Sequence, residues 1–489
     1  MAGIAAAAQG QCQECHMQPC FKSDLLARYE LQRQAFAADA NPARKTRVSR
    51  LDRLLALTER HENAIVKAIN EDFGGRSSHE TRLAELFIIR SGIKHARAHL
   101  KRWMRSRRVA TGLQFRPGYN RLIPQPLGVV GIVSPWNYPF QLAMGPALAA
   151  LAAGNRVLIK PSELTPRFSA LLEQLVASAF DIDELSVING GAETSKAFVS
   201  LPFDHLFFTG STAVGRLVAQ AAAANLTPVT LELGGKSPAI LDVSCDLAHA
   251  IPRLAFGKLL NAGQTCIAPD YLLVPQGQAD KVAGLLVLAI ARLYPTLQLN
   301  PDYTAIISEH HHQRLVALIA EAKGQGAKVI EVNPAKERFV AESKKLPPTL
   351  VLGATRSMRL MQEEIFGPVL PIMEYRDLDE AILHINQAEH PLALYWFGRN
   401  THNRDRVLKE TLSGGVTVND CLWHLAQENQ PFGGVGASGT GSYHGEWGFN
   451  TFSKHKPVFH QARLNGTALF YPPYGKTFDR LLAVLKRIA

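Results

Sequence analysis

Two consecutive series of short apolar runs, each interleaved with helical stretches, constrain this chain more than any other feature. The first series is Val129–Val133, Arg156–Ile159, Leu185–Ile188, Leu206–Phe208 and Val229–Leu233. Between its members lie Ala- and Leu-rich segments with helical spacing, such as Gln141–Ala153 and Phe168–Phe180. Strand, helix, strand at this spacing demands parallel pairing, because only a crossover helix returns the chain to the same end of a sheet. A second series follows in Ala239–Leu241, Tyr271–Val274, Val329–Glu331, Val369–Met373 and Val416–Val418. The expected fold class is α/β, with two doubly wound α/β domains in series. Ligands of such sheets sit at the carboxyl ends of the strands, so the strand-to-helix loops are where chemistry is expected.

The remaining bulk properties narrow the class. With 489 residues, 46% of them hydrophobic and 19% charged, the chain has enough material for two or three well-packed domains. Leu142–Gly154 is uncharged but short and contains Pro146, and Val282–Ala291 is flanked by Lys281 and Arg292. Neither reaches the ~20 apolar residues of a spanning helix. The start, MAGIAAAAQGQ, lacks the basic and apolar regions of a signal peptide, so a cytoplasmic location without an integral membrane segment is expected. The net charge of +11 raises nucleic acid as a partner. Its densest run is KHARAHLKRWMRSRR (94–108), on a helical pattern beginning near Ser77. Lys94, Arg97, Lys101, Arg105 and Arg108 recur every three or four residues and read as one solvated helix face. No nucleic-acid motif accompanies them, so no such partner is expected. The six cysteines show no disulfide spacing. Cys12, Cys15, His16 and Cys20 resemble half a zinc site without a second ligand pair. A loose extension over 1–22 and no metal are therefore expected, with a helical pattern from Ser23 to about Trp103.

Several loops carry reactive or unusual residues. After strands come SPWNYP (134–139), KPSE (160–163), TGSTAVG (209–215) and TLELGGK (230–236). TGSTAVG lacks the middle glycine of the common dinucleotide fingerprint, so its spacing alone supports only an anion-tolerant helix start. Cys266 lies in NAGQTCIAPD (261–270), among small and polar residues where a thiol can be reached. QEEIFGP (362–368) places two carboxylates before an aromatic and a tight turn, and such pairs usually mark a solvated helix end.

In this order, SPWNYP, KPSE, TGST, LELGGK, GQTC and EEIFGP closely resemble the aldehyde dehydrogenase superfamily. The tail PFGGVGASGTGSYHGEWGFNTF (431–452) extends the match to nearly the whole chain after Ser23. That tail, with GQTCIAPD, is similar to the class 3 branch, which includes fatty, benzyl and coniferyl aldehyde dehydrogenases. The resemblance implies a dinucleotide-binding domain over 23–104 and 129–232 and a catalytic domain over 233–430. It further implies a small β bridging or oligomerisation element from 105–128 and 431–460, with a tail over 461–489.

It also implies roles. Cys266 is the nucleophile that forms a thiohemiacetal and then a thioester. Asn137 and the backbone N–H of Cys266 hold the developing oxyanion, and Glu232 is the general base for hydrolysis. Lys160 and Glu163 would bind the adenosine ribose, and Gly210, Ser211 and Gly215 would surround the pyrophosphate. Glu364 would bind the nicotinamide ribose, with Phe366 packed behind it. NAD is the expected cofactor, with NADP possible, because Glu163 would repel a 2′-phosphate. Retention of Glu232 favours hydrolysis over transfer to coenzyme A. The four residues Asn137, Glu232, Cys266 and Glu364 together argue against an idle binding protein.

Phe256 and Leu260 share a helix face leading to Cys266, Leu142 follows Asn137 by about a turn, and Leu422, Trp423 and Leu425 belong to a loop that approaches the site in relatives. An apolar substrate pocket of Leu142, Phe256, Leu260 and Trp423 is expected, suited to an aromatic aldehyde of the coniferyl, cinnamyl or benzyl type. Medium-chain aliphatic aldehydes are the alternative. The apolar stripe Phe478, Leu481, Leu482, Leu485 and Ile488 in the tail is expected to pack on its own or a partner subunit, and the resemblance to the class 3 branch implies a homodimer.

Overall fold

The computed structural model describes residues 23–340 and 343–488. The Cys12, Cys15, His16 and Cys20 group lies outside the described residues. Three sheets organise the chain. In the smallest, β1 (Arg107–Val109) and β2 (Tyr119–Pro126) join β16 (Ser453–His460) in antiparallel register, with Arg107 opposite Leu122 and Lys456 opposite Ile123.

The first parallel series forms β3 (Val129–Val133), β4 (Arg156–Lys160), β5 (Leu185–Val187), β6 (His205–Thr209) and β7 (Val229–Glu232). The central strands are buried along nearly their whole length, which is why they read as continuous Val, Ile, Leu and Phe runs. β4 and β5 extend to one side of β3, and β6 and β7 to the other. The strand order therefore reverses between β3 and β6, the position where a doubly wound sheet opens a ligand crevice.

The second series builds a seven-stranded sheet. Its members are β8 (Pro238–Leu241), β9 (Tyr271–Pro275), β10 (Lys328–Glu331), β11 (Thr349–Leu352), β12 (Val369–Tyr375), β13 (Ala393–Phe397) and β14 (Gly415–Val418). All neighbours are parallel except β10 and β11. The apolar-run reading omits β11 and β13. β13 is ALYWF, with all five residues fully buried between β8 and β14. A short strand, β15 (Gly439–Thr440), returns to the first sheet and pairs antiparallel with β7, placing Gly439 opposite Glu232.

Two helices matter for the site. Pro139–Ala153 starts with proline at its first turn and ends at Gly154, whose φ of +99° closes the helix on the carbonyls of Ala150 and Leu151. Every residue but Gly145 is buried, and Pro146 sits inside the helix without ending it. The helix capped by Ser77 runs from Ser78 through a π-turn, Arg82–Phe87, to Trp103. The basic face is shorter than its spacing suggests. Lys94, Arg97 and Lys101 are exposed on the helix, but the chain must extend after Met104 to pair β1 with β2. Arg105 therefore lies beyond the helix and Arg108 lies in β1. No described helix is long and apolar enough to cross a membrane.

Candidate active site

The thiol of Cys266 sits on a loop locked by buried amides. Helix Leu247–Leu259 gives way to a turn in which Asn261, Ala262 and Gly263 have φ of 54°, 52° and 74°. Left-handed backbone at the first two costs about 1–2 kcal/mol each, so the turn persists only if side chains fix it. Asn261 and Gln264, both fully buried, do so. Gln264 donates to the carbonyls of Asn261 and Ala305, both at 3.0 Å, and accepts the N–H of Ile307 at 3.0 Å. Its backbone oxygen accepts the side-chain amide of Asn261 at 3.1 Å and that of Asn137 at 3.2 Å. Asn137, three residues after Ser134 in the loop before the helix Pro139–Ala153, is thereby tied to the Cys266 loop. Tyr138 adds a second tie, its hydroxyl 2.6 Å from that of Thr265.

The titrating groups around the thiol oppose its ionisation. Burial, then the carboxylates of Glu364 and Glu232, push the Cys266 thiol up to about 12. Glu232 ends β7 at 2% exposure, and neither of its oxygens has a hydrogen-bond partner among the described residues. Burial holds its carboxyl well above the usual range. One buried and one half-buried acid beside a neutral thiol suit a site that ionises only when bound groups supply compensating charge.

Two cavities meet at Cys266. The larger, about 840 Å³, follows the carboxyl ends of β3, β6 and β7 and is lined by Asn137, Gly210, Ser211, Lys236, Glu364 and Phe366 among others. Ser211 caps helix Thr212–Ala223, accepting the N–H of Val214, so amide donors of a helix start face this space. A Cβ on Gly234 would lie 2.3 Å from a Glu364 oxygen, so only glycine admits that carboxylate. The two carboxylates of EEIFGP divide sharply. Glu363 stays at the surface, paired with Arg359 at 2.8 Å and Arg314 at 3.3 Å. Glu364 turns inward, pushed up to about 8 by burial and then by Asp270. Phe366 adopts a φ of +53° and packs edge-on against Trp136, with ring centres 5.5 Å apart. Arg314 and Lys236 clamp this turn through the backbone oxygens of Glu364, Ile365, Leu360 and Glu363.

Three expected cofactor residues stand apart from that cavity's wall. Lys160, 1% exposed, donates to the Pro161 carbonyl at 2.7 Å and lies 3.4 Å from the half-exposed Glu163. Gly215 is a packing glycine, since a Cβ there would meet Leu233 at 2.7 Å.

The second cavity is a narrow tunnel of about 80 Å³ with no charged residue in its lining. Leu142, Phe256, Leu260 and Trp423 all line it, together with Leu422, Leu425 and Cys266. Sequence reasoning missed its opposite wall, Leu83 and Phe87 on the π-turn. Both are unusually exposed apolar residues, at 40% and 55%, and their four-residue spacing was the available signal. It also missed the buried pair Arg76 and Glu85. The Arg76 guanidinium lies 3.1 Å from Glu85, whose other oxygen accepts the N–H groups of Phe140 and Gln141 at 2.7 and 3.2 Å.

The chain is similar throughout to proteins of one kind. The aldehyde dehydrogenase family model matches residues 11–458. A probable coniferyl aldehyde dehydrogenase of Pseudomonas aeruginosa is 47% identical over 460 residues, covering 94% of this chain and 96% of the relative. Among solved structures, the substrate-bound state of Staphylococcus aureus AldH superposes with a TM-score of 0.88 at 38% identity, covering 94% of this chain and 99% of that one. A cysteine-to-alanine form of aldehyde dehydrogenase C from Pseudomonas syringae, complexed with NAD+ and octanal, superposes with a TM-score of 0.81 at 28% identity. It covers 91% of this chain and 90% of that one.

Proposed function

Because the chain belongs to the aldehyde dehydrogenase family, we propose that it oxidises coniferyl aldehyde or a related cinnamyl- or benzyl-type aldehyde to the acid. The observation that carries this reading is the position of Cys266, at the junction of a polar crevice and an uncharged tunnel. An aldehyde entering through the tunnel presents its carbonyl carbon to the thiol from one side, and the crevice offers a hydride acceptor room on the other.

The residues present fit a nicotinamide dinucleotide. The crevice is large enough, a helix start faces it, and Glu364 reaches in over Gly234. When bound, the cofactor supplies the hydride acceptor. We assign Gly210 and Ser211 to its pyrophosphate, Glu364 to the nicotinamide ribose and Phe366 to the support of that carboxylate. Lys160 and Glu163 are assigned to the adenosine ribose, and Glu163 favours NAD over NADP by repelling a 2′-phosphate.

Cys266, as thiolate, adds to the aldehyde carbon, and the new oxyanion is held by the amide of Asn137 and the N–H of Cys266. Loss of hydride leaves a thioester. Glu232 then takes a proton from the water that hydrolyses it, and the acid leaves. The medium-chain aliphatic alternative draws support from the narrow tunnel and from the octanal bound to the Pseudomonas syringae enzyme. A reduced thiol and a nicotinamide supply both suit the cytoplasm. The exposed tail residues Leu464, Leu469, Tyr471 and Tyr474 suit a homodimer, for which light scattering is the test. The activity itself is tested by mixing purified protein with coniferyl aldehyde and NAD and following absorbance of the reduced cofactor. No reduction with any aromatic aldehyde would overturn the reading.

A further inference from the structure

The lysine and arginine side chains that line the larger cavity differ in their partners. Lys236 is paired with Asp270, and Arg314 with Glu363 at 3.3 Å. Arg356 lines the same cavity and forms no ion pair with any described residue. The carboxylates of that lining are all accounted for. Glu363 is held by Arg314 and Arg359, and Glu389 by Arg216 at 3.6 Å. Glu364, pushed up to about 8 by burial, is largely protonated near neutrality. The charge left unbalanced in the crevice is the Arg356 guanidinium.

That guanidinium is held in place by neutral groups. Its Nε and one terminal nitrogen donate to His384 Nδ1 at 3.1 and 2.9 Å, and its other terminal nitrogen donates to the side-chain oxygen of Gln387. Burial keeps His384 at about 4, so its imidazole is neutral and can accept. The Arg356 carbonyl accepts Gln362 Nε2 at 3.3 Å, which fixes the backbone as well. These bonds leave one N–H on each terminal nitrogen, the pair that can take two oxygens of a phosphate. Arg356 follows β11, and His384 belongs to helix Leu378–Asn386, so both stand on the second sheet's side of the crevice. The chain after Gln387 then reaches the other side. Glu389 meets Arg216 on the helix that Ser211 caps, and Ala388 and His390 share the crevice lining with Ser211 and Thr212.

We propose that Arg356 is a second anchor for the cofactor's pyrophosphate, gripping it from the second sheet's side while the Ser211 helix start holds it from the first. His384 and Gln387 are then positioning residues that aim the guanidinium. The proposal rests on the reading of this crevice as the dinucleotide site. A pyrophosphate carries two negative charges, and a helix start meets them with partial charge alone. A guanidinium whose fork is already oriented adds a full charge and loses little freedom when it binds. Arg356 is exposed, so salt screens the contact, and its contribution lies in cofactor affinity.

Calorimetric titration of NAD, ADP-ribose and NADP into the wild type and Arg356→Gln tests this. ADP-ribose carries the pyrophosphate without the nicotinamide, and NADP adds a 2′-phosphate. Arg356→Gln should raise the Kd of all three about tenfold at low salt, and by less at high salt. At saturating NAD its kcat should stay within about twofold of wild type. Arg356→Lys keeps the charge without the fork and should recover part of the affinity. His384→Phe leaves Arg356 present but no longer aimed, and gives an independent test should Arg356→Gln fail to fold. It should weaken NAD binding by a smaller factor with kcat and thermal midpoint held, whereas a merely structural role would lower both. Equal Kd values for ADP-ribose in wild type and Arg356→Gln would overturn the proposal. A loss confined to NADP would overturn it too, by placing the guanidinium at the 2′-phosphate. If the wild type bound neither NAD nor ADP-ribose, the crevice would not be the dinucleotide site, and that reading would fall first.

Discussion

Arg76 donates to the backbone oxygen of Asn137 at 2.9 Å, so a fully buried guanidinium holds the loop that carries the proposed oxyanion donor. The same carbonyl accepts the Asn261 side chain at 3.0 Å. Arg76 also stacks over Phe73 and Tyr138, each 4.9 Å from the ring centre, and pairs with the fully buried Glu85. Removing one partner of a buried ion pair strands the other charge. Arg76→Met should therefore lower unfolding stability by about 3–5 kcal/mol, and Arg76→Met with Glu85→Gln should recover much of that loss. Urea unfolding checks both. In whatever fraction folds, kcat should fall while NAD affinity holds, because Asn137 moves and the crevice does not. An unchanged kcat would show that Asn137 needs no such support.

Cys266→Ala should remove dehydrogenase activity by a factor on the order of a thousand or more while leaving NAD binding intact. The neighbouring hydroxyl, Thr265, is committed to Tyr138 at 2.6 Å and cannot replace the thiol. Fluorescence titration with NAD and an aldehyde assay on the same preparation measure the two properties. Activity near wild type in a contaminant-free sample would remove Cys266 from the mechanism.

Glu232→Gln should keep the first turnover and slow the second. The variant retains Asn137 and Cys266, and the thioester then waits for water without a base. Stopped-flow traces should show a burst followed by turnover reduced roughly a hundredfold. Equal slowing of both phases would place Glu232 in thiol activation instead.

The cofactor-free protein should lose stability as pH rises from about 6.5 to 8. Burial raises Glu80 to about 7 and Glu364 to about 8 from 4.5, so the native state binds more protons than the unfolded chain until the higher value is passed. Their contribution to stability therefore falls as pH rises through those values. His205, His384, His424 and His444 work the other way, held at about 4 by burial, but their opposing effect is complete near 6.5. Above that pH the raised carboxyls dominate, Glu232 and Glu85 acting in the same direction as Glu80 and Glu364, until Lys258, lowered to about 8, begins to favour the native state. Thermal midpoints across this window should fall, and Glu364→Gln should flatten the slope. A midpoint that rises from 6.5 to 8 contradicts the assignment.

The parts of this site legible in the sequence were those fixed by local patterns. Buried parallel strands announce themselves as apolar runs, and β3, β6 and β7 carry Asn137, Ser211 and Glu232 on the loops or strand ends that follow. What stayed hidden depends on contacts between distant segments. Nothing local marks Arg76 as the partner of Asn137, 61 residues away, and Glu364 is told from Glu363 by the family resemblance alone, without the contacts that separate them. That separation comes from Arg314 and Lys236 gripping the turn and from the bare backbone of Gly234. β13 escaped notice because ALYWF, between two loops, reads equally as a core turn of helix. The N-terminal cysteines have no described counterpart to compare with.

The tunnel makes the sharpest substrate prediction. Its lining contains no charge, and Leu142, Phe256 and Leu260 share it with Cys266. Trp423, 43% exposed, adds an aromatic side chain to the lining that is also open to solvent. A planar phenylpropenal buries its ring against these side chains while its phenol stays near the mouth. A linear six-carbon aldehyde fits as well but gains no aromatic contact, worth about 0.5–1.5 kcal/mol. A carboxylated aldehyde must carry an unpaired anion into the tunnel at a cost of several kcal/mol. The expected order of kcat/KM is therefore coniferyl aldehyde, then hexanal, then succinic semialdehyde far behind. Trp423→Ala should lower the first value by up to about tenfold and leave hexanal nearly unchanged, which separates a stacking role from general loss of fold. If succinic semialdehyde came first, an unseen cation would have to reach the tunnel and the apolar argument would fail. If Trp423→Ala reduced both neutral substrates equally, the indole would be acting as a wall and the aromatic preference would need another source.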